Sequence, residues 1–431
     1  MKNLTWQNPG QLFVAQELIK IVKLKCCGIK VFIEKQYLCT QNFNDMDRFS
    51  IQDFGPIDNI SVDFGDLTIL VGPQASGKSV ALETLKLAID RDNIIETLDR
   101  YNYIIGHNTE KILNVYYGEG MSEIWKTDSK IEIDGESFLR KSLPKKGEGN
   151  DETLFYIPAQ RIMSISDGRP KNFMEFDSSS PYVLRSFSET LRLFMQHGMG
   201  NADVLFPMKN RLKGFLRRSF DESIFHQAKI VMDERSGQKK MVLNIDDMNI
   251  PFMSWSAGQK EFMPLLLAFY CLSGPPSKVV KKEKYKYVVV EEPEMGLHPR
   301  AIISVILQIL ELIQSGGYKV IVSTHSPVFL EFAWAFNLLK ENVSQREKAL
   351  YEVFNVPAGS PVREMLEGLF DKSIRTYYFR RRNRNGRVVS HDISSLDVTA
   401  SDNIIAEWGG LSEFSTRVSD VVSKYMVDNE E

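Results

Sequence analysis

Cysteine is scarce. The 431 residues contain four, Cys26, Cys27, Cys39 and Cys271, and no C-x-x-C pair is answered by a second. This excludes a structural zinc site of the finger or ribbon type and fits a reducing compartment. The six histidines show no metal-ligand spacing. A net charge of −3 gives no overall basic field, so any contact with nucleic acid has to be local. Long apolar runs are also missing. The stretch from Leu18 to Ile33 is broken by Lys20, Lys23, Lys25 and Lys30, and the opening MKNLTWQNPGQLF has no apolar core leading to a small-residue cleavage site. The expectation is a cytoplasmic protein with no secretion signal and no membrane span. There is no internal repeat and no low-complexity tract.

With 43% hydrophobic and 25% charged residues, the chain has the composition of an ordinary globular protein with a large core. Its length allows two to three domains, or one large α/β domain interrupted by insertions. Residues 1–46 mix helix and strand signals and form an extension without an assigned role. From Phe49 the text FSIQDFGPIDNISVDFGDLTILVGP alternates apolar and polar residues and is broken by Gly55-Pro56 and Gly65-Asp66, which reads as short strands joined by turns. Residues 47–175 form the first part of the main body, with strand candidates at Ile112–Tyr117 and Ile131–Ile133 and a hydrophilic loop at Lys145–Asp151. Residues 176–250 form an insertion, helical through YVLRSFSETLRLFMQ and closed by a hairpin that turns at Ser236-Gly237. Residues 251–345 complete the main body, with a strand over Tyr285–Glu291, a helix over Arg300–Gln314 stopped by Gly316-Gly317, and a strand over Tyr318–Thr324. Such alternation implies a parallel sheet covered by helices. Residues 346–431 carry a basic hairpin and helical region.

Three segments carry chemistry. Gly72, Pro73, Gln74, Ala75, Ser76, Gly77, Lys78 and Ser79 fit G-x-x-x-x-G-K-[ST], between the strand Leu67–Val71 and a helix that continues from Val80. The glycines let successive N–H groups turn inward on a phosphate, to which the helix N-terminus adds a partial positive charge. Lys78 is expected at the β- and γ-phosphates and the Ser79 hydroxyl on Mg²⁺. Next, the strand YKYVVV ends in Glu291-Glu292-Pro293-Glu294, where two adjacent carboxylates leave the carboxyl edge of a parallel sheet on opposite sides. Glu291 is assigned to the metal and Glu292 to the attacking water. His325, in VIVSTHSP, follows the next strand at that edge, within reach of a γ-phosphate or the water. Finally, Ser256-Ala257-Gly258-Gln259 opens a helix with Ser256 as N-cap, a second helix N-terminus suited to phosphate.

The order of these motifs, with Gln160 inside YIPAQR and the strings FGPI and EEPEMGLHP, resembles the ABC-type ATPase heads of the RecF, SMC and OLD families over about Phe49–Pro327, and most of all the compact OLD-like heads. The resemblance implies an α/β P-loop NTPase of ABC type, with a central mostly parallel sheet, an N-terminal β subdomain and an inserted helical lobe. It further implies ATP and Mg²⁺ as ligands, Gln160 as a Q-loop residue touching Mg²⁺ and γ-phosphate, and a homodimer or higher even-numbered oligomer in which Ser256 to Gln259 reach the nucleotide of the opposite subunit. Gln74 stands where Asn is common, Glu291 replaces the usual Asp, and His298 stands where transporter heads carry an Asp. Pro264 is expected to kink the signature helix. The insertion is too short for the coiled-coil arm of SMC proteins, and no glutamate and D-x-D strand of a TOPRIM nuclease follows His325.

Basic clusters remain. Arg380, Arg381, Arg382 and Arg384 lie beside Tyr377, Tyr378 and Phe379, a mixture able to hold a phosphate backbone and stack on bases, as well as to form an ordinary solvated hairpin. Lys278, Lys281, Lys282, Lys284 and Lys286 form a second run. Two functional classes stay open: an ATPase that holds or releases a separately encoded effector, a nuclease or toxin, in phage defence or DNA repair, and a clamp or motor acting directly on nucleic acid.

Overall fold

The structure is a computed structural model, and it describes residues 46–106, 108–143, 151–199, 203–234, 237–277, 279–342, 344–382, 386–412, 415, 417–419 and 421–423. The chain divides into two units, Met1–Met46 and Asp47–Glu431. The N-terminal extension up to residue 45, the loop residues 145–150, Ser236, Lys278 and Arg384 lie outside the described residues.

Within the second unit the chain runs β1 (Arg48–Phe54), β2 (Ile57–Asp63), β3 (Leu67–Val71), α1 (Lys78–Arg100), α2 (Thr109–Tyr117), β4 (Trp125–Ile133), β5 (Glu136–Ser137), β6 (Leu154–Ile157), β7 (Ile165–Ser166), β8 (Arg169–Pro170), α3 (Tyr182–Leu193), β9 (Val204–Phe206), α4 (Gly214–Phe220), β10 (Lys229–Asp233), β11 (Lys240–Ile245) and β12 (Met248–Pro251). It continues through α5 (Ala257–Ser273), β13 (Tyr287–Glu291), α6 (Pro299–Gln314), β14 (Lys319–Ser323), α7 (Pro327–Asn342), α8 (Arg346–Val353), α9 (Pro361–Glu367), β15 (Ile374–Arg381) and β16 (Val388–Asp392).

A ten-stranded sheet in the order β5-β4-β1-β2-β16-β15-β3-β14-β13-β6 organises the unit. The run β15-β3-β14-β13-β6 is parallel throughout. β3 and β13 are buried along their whole length, as strands covered on both faces must be, which is why they read as unbroken apolar text. β1 pairs antiparallel with β2 and β4, and its alternating burial marks one face turned to water. A separate antiparallel sheet, β12-β11-β10-β9, together with α3 and α4, lies between β6 and β13 in the sequence. The core is shared: Phe220 and Phe225 of the insertion pack on Phe262 of α5.

One expectation is corrected. Ile112–Tyr117 belongs to a helix, α2, and is not a strand. Its buried residues, Ile112, Leu113, Tyr116 and Tyr117, recur at helical spacing, and the Asn108 side chain accepts from Lys111 N to cap the first turn. Pro264 does not interrupt α5, which runs continuously from Ala257 to Ser273. The C-terminal hairpin is no free appendage. β15 joins the main sheet directly beside β3, the strand that leads into the phosphate loop.

Candidate functional site

β3 ends at Val71, and the chain turns through Gly72 at φ 150°, Ala75 at φ 57° and Gly77 at φ 77° before α1 begins at Lys78. At Gly72 no other residue fits: a Cβ there would stand 2.3 Å from the Phe379 carbonyl oxygen of β15. α1 has no side-chain cap and no acidic residue in its first turn, so its N-terminal N–H groups remain available to an anion. Lys78 is buried, and its Nζ donates to Gly72 O at 2.9 Å and Pro73 O at 3.2 Å. Burial holds its ammonium below the usual range, against the pull of Glu292, Glu291 and Glu294. Ser76 is buried, Gly77 and Val80 are half-buried, and Pro73, Gln74, Ala75 and Ser79 are exposed.

β13 and β14 place the carboxylates and the histidine at one edge. Glu291 is 3% exposed, and its Oε2 accepts from Ala159 N at 3.2 Å. Its Oε1 has no hydrogen-bond partner. Burial raises this carboxyl, opposed first by the nearby Ser79 hydroxyl. The Tyr156 hydroxyl also lies near enough to lower it, and a buried carboxylate beside an exposed serine hydroxyl suits a hard cation such as Mg²⁺.

Glu292 lies past the strand in a left-handed backbone conformation, φ 44°. Its Oε1 is 3.1 Å from His325 Nε2. Burial, then repulsion from Glu294, pushes its carboxyl up to about 8, with Lys78 opposing. His325 Nε2 is also 3.2 Å from Lys78 Nζ, and the ring is held below its ordinary value by burial and then by Lys78. Gln160 is exposed, at the start of a short 3₁₀ turn after β6.

The signature segment behaves as a capped helix start. Ser256 Oγ accepts from Gln259 N at 3.3 Å, and Gln259 Oε1 accepts from Ser256 N at 3.2 Å. Ser256 and Ala257 are exposed. Gly258 abuts the turn after Glu292, since a Cβ there would lie 2.6 Å from Gly296 O. His298 acts as N-cap of α6 through Nδ1, which accepts from Arg300 N at 3.3 Å.

Two arginines of the hairpin are engaged within the protein. Arg381 Nη2 donates to Ala75 O of the phosphate loop at 3.0 Å, Arg382 pairs with Asp58 at 2.9 Å, and Arg380 is half-buried. Sequence reasoning passed over two further residues. Glu294 Oε1 accepts from Thr324 Oγ1 at 2.7 Å and from His325 N at 2.6 Å, so the third acid of EEPE holds the histidine's backbone. Arg161, the last residue of YIPAQR, is fully buried and reaches three backbone carbonyls. The triple acid was the available signal for the first. Nothing local signals the second.

This fold and this site are those of an α/β protein with a phosphate loop at the carboxyl edge of a parallel sheet. Residues 159–331, which include Gln160, Ser256 to Gln259, Glu291, Glu292 and His325, match the family model described as "AAA domain, putative AbiEii toxin, Type IV TA system". Solved structures resemble the chain only loosely. The SMC head domain from Thermotoga maritima is 11% identical, with 80% of this chain and 98% of that one covered and a TM-score of 0.36. An Smc head bound to the C-winged helix domain of ScpA is 12% identical, covering 80% and 97%, with a TM-score of 0.38. A dimeric bacterial ABC transporter cassette is 13% identical, covering 66% and 90%, with a TM-score of 0.29. No curated protein matches the chain. Among the described residues, no helix is long and apolar enough to cross a membrane.

Proposed function

We propose that the protein binds ATP with Mg²⁺ and hydrolyses it at composite sites in a head-to-head homodimer or larger even-numbered oligomer, and that this cycle holds or releases a separately encoded effector in phage defence or DNA repair. The observation that carries the reading is the convergence of Lys78 and Glu292 within 3.2 Å of His325 Nε2, beside the phosphate loop. The matched family is described as a putative AbiEii toxin of a Type IV TA system, which suits a defence role.

The residues divide the work as follows. Lys78 exchanges its loop carbonyls for β- and γ-phosphate oxygens, joined by the N–H groups of the loop and of the uncapped α1. Ser79 and Glu291, with Gln160, would hold Mg²⁺, which when bound neutralises charge on the same oxygens. Glu292, once deprotonated, orients a water in line with the γ-phosphorus and takes its proton as the new O–P bond forms and the β–γ bridge breaks. His325 hydrogen-bonds the γ-phosphate or this water. Ser256 and Gly258 present their helix N-terminus to the γ-phosphate bound by the opposite copy.

Two variants test the reading. Glu292→Gln is expected to retain ATP, accumulate dimers and lose hydrolysis by about 10²- to 10⁴-fold. Lys78→Ala is expected to weaken ATP binding itself. Wild-type turnover in Glu292→Gln would refute the assignment. For the effector, the native complex is to be purified and its companions identified, and recovery of the ATPase alone counts against the effector.

A further inference from the structure

Burying a guanidinium is costly unless its donors are matched, and removing the match strands a charge in a poorly solvating interior. Arg161 is among the largest fully buried side chains of the protein. Its matching is unusual in kind. Nε donates to Glu261 O at 3.2 Å, Nη1 to Glu291 O at 2.9 Å and Nη2 to Glu292 O at 3.0 Å. A carboxylate can follow an arginine by rotating its side chain, but a carbonyl cannot move without its backbone. One rigid, planar fork therefore fixes the end of β13 against the second turn of α5.

The backbone it grips is strained. A residue with a Cβ at the φ of 44° found at Glu292 is strained, and such conformations persist only where the surroundings over-determine them. Here Glu292 N donates to Ser323 O at 2.8 Å and Glu292 O accepts from Arg161. That conformation directs the carboxylate to within 3.1 Å of His325. A second contact joins the same two elements, because the hydrogen of Gly258 alone leaves room for Gly296 O.

We propose that Arg161 is a positioning residue for hydrolysis: by gripping the carbonyls of Glu291 and Glu292 together with that of Glu261, it makes the signature helix and the Glu292 carboxylate move as one body. Engagement of Ser256 at the opposite copy's nucleotide then sets the position of Glu292 in its own site. The inference rests on the reading of Glu292 as the water-orienting carboxylate.

The test uses the full chain with Arg161→Met, which removes all three hydrogen bonds, and Arg161→Lys, which keeps the charge and part of the bonding. Each is made alone and together with Glu292→Gln. ATP affinity is read with a fluorescent ATP analogue, turnover by phosphate release, and folding by thermal midpoint. The expected result is unchanged ATP affinity, kcat lowered by about 10²-fold in Arg161→Met, the range set by removal of a positioned base, with partial rescue in Arg161→Lys. The Arg161→Met, Glu292→Gln double variant should be no slower than Glu292→Gln alone, because residues acting as a unit are not additive. Multiplying effects, an equal fall in ATP affinity and turnover, or failure of both Arg161 variants to fold would each overturn the proposal. Failure of the underlying reading shows separately, as wild-type turnover in Glu292→Gln alone.

Discussion

His325 Nε2 stands 3.1 Å from Glu292 Oε1 and 3.2 Å from Lys78 Nζ, so one ring nitrogen faces the proposed base and the phosphate-binding cation together. That nitrogen carries either one hydrogen or one lone pair, so it can donate to Glu292 or accept from Lys78 but cannot serve both at once. The Glu292 carboxyl is pushed up to about 8 by burial and then by Glu294, with Lys78 opposing.

This arrangement predicts a stability signature. The Glu292 carboxyl is raised from an ordinary 4.5 to about 8, so between those values the folded state binds more protons than the unfolded one. Its contribution is full below about 4.5 and is lost as pH rises through about 8. Glu292→Gln should leave the urea midpoint of the ligand-free protein unchanged near pH 5 and raise it at pH 8.5. Equal midpoint shifts at both pH values would show that Glu292 carries no such load.

Composite sites predict complementation in trans. Ser256→Arg and Lys78→Ala subunits should each be inactive alone, and mixing them should restore one working site per dimer, built from the intact phosphate loop of one and the intact signature of the other. In other P-loop enzymes a group supplied in trans is worth about 10³–10⁵ in rate. Mixed dimers with no recovered phosphate release, or specific activity that stays flat on dilution to monomers, would favour a self-contained site.

Gly258→Ala tests the junction of the signature helix with the turn after Glu292. The added methyl would stand 2.6 Å from Gly296 O, a backbone atom that cannot rotate away. Overpacking of this kind costs about 1–3 kcal/mol, so a lower thermal midpoint and reduced turnover are expected. Calorimetry beside a phosphate-release assay measures both, and a variant matching wild type in the two would show that the junction yields freely.

Arg381→Ala should weaken ATP binding, because its guanidinium supports the phosphate loop through Ala75 O. A hydrogen bond worth about 0.5–1.5 kcal/mol corresponds to an affinity loss of roughly 2- to 12-fold. Arg382→Ala, which removes only the pair with Asp58, serves as the control. Equal ATP affinities in the two variants, by titration calorimetry, would remove the special role of Arg381.

What the sequence by itself determined is the chemistry that local geometry completes. The phosphate loop lies on eight consecutive residues between a strand and a helix, and its function follows from glycine conformations and a helix end, both of which are neighbour effects. The carboxylates and His325 were legible for a related reason: unbroken apolar strands belong to a parallel sheet, and such sheets gather their carboxyl ends at one edge. Tertiary structure alone decided the rest. Arg161 meets Glu261 and Glu292 across about a hundred residues or more, Arg381 meets Ala75 across some three hundred, and the upward shift of the Glu292 carboxyl depends on its own burial and then on the charges of Glu294 and Lys78. Periodicity reports which face of an element is covered. It does not report what covers it, and a guanidinium that binds carbonyls leaves no complementary side chain in the sequence to be noticed.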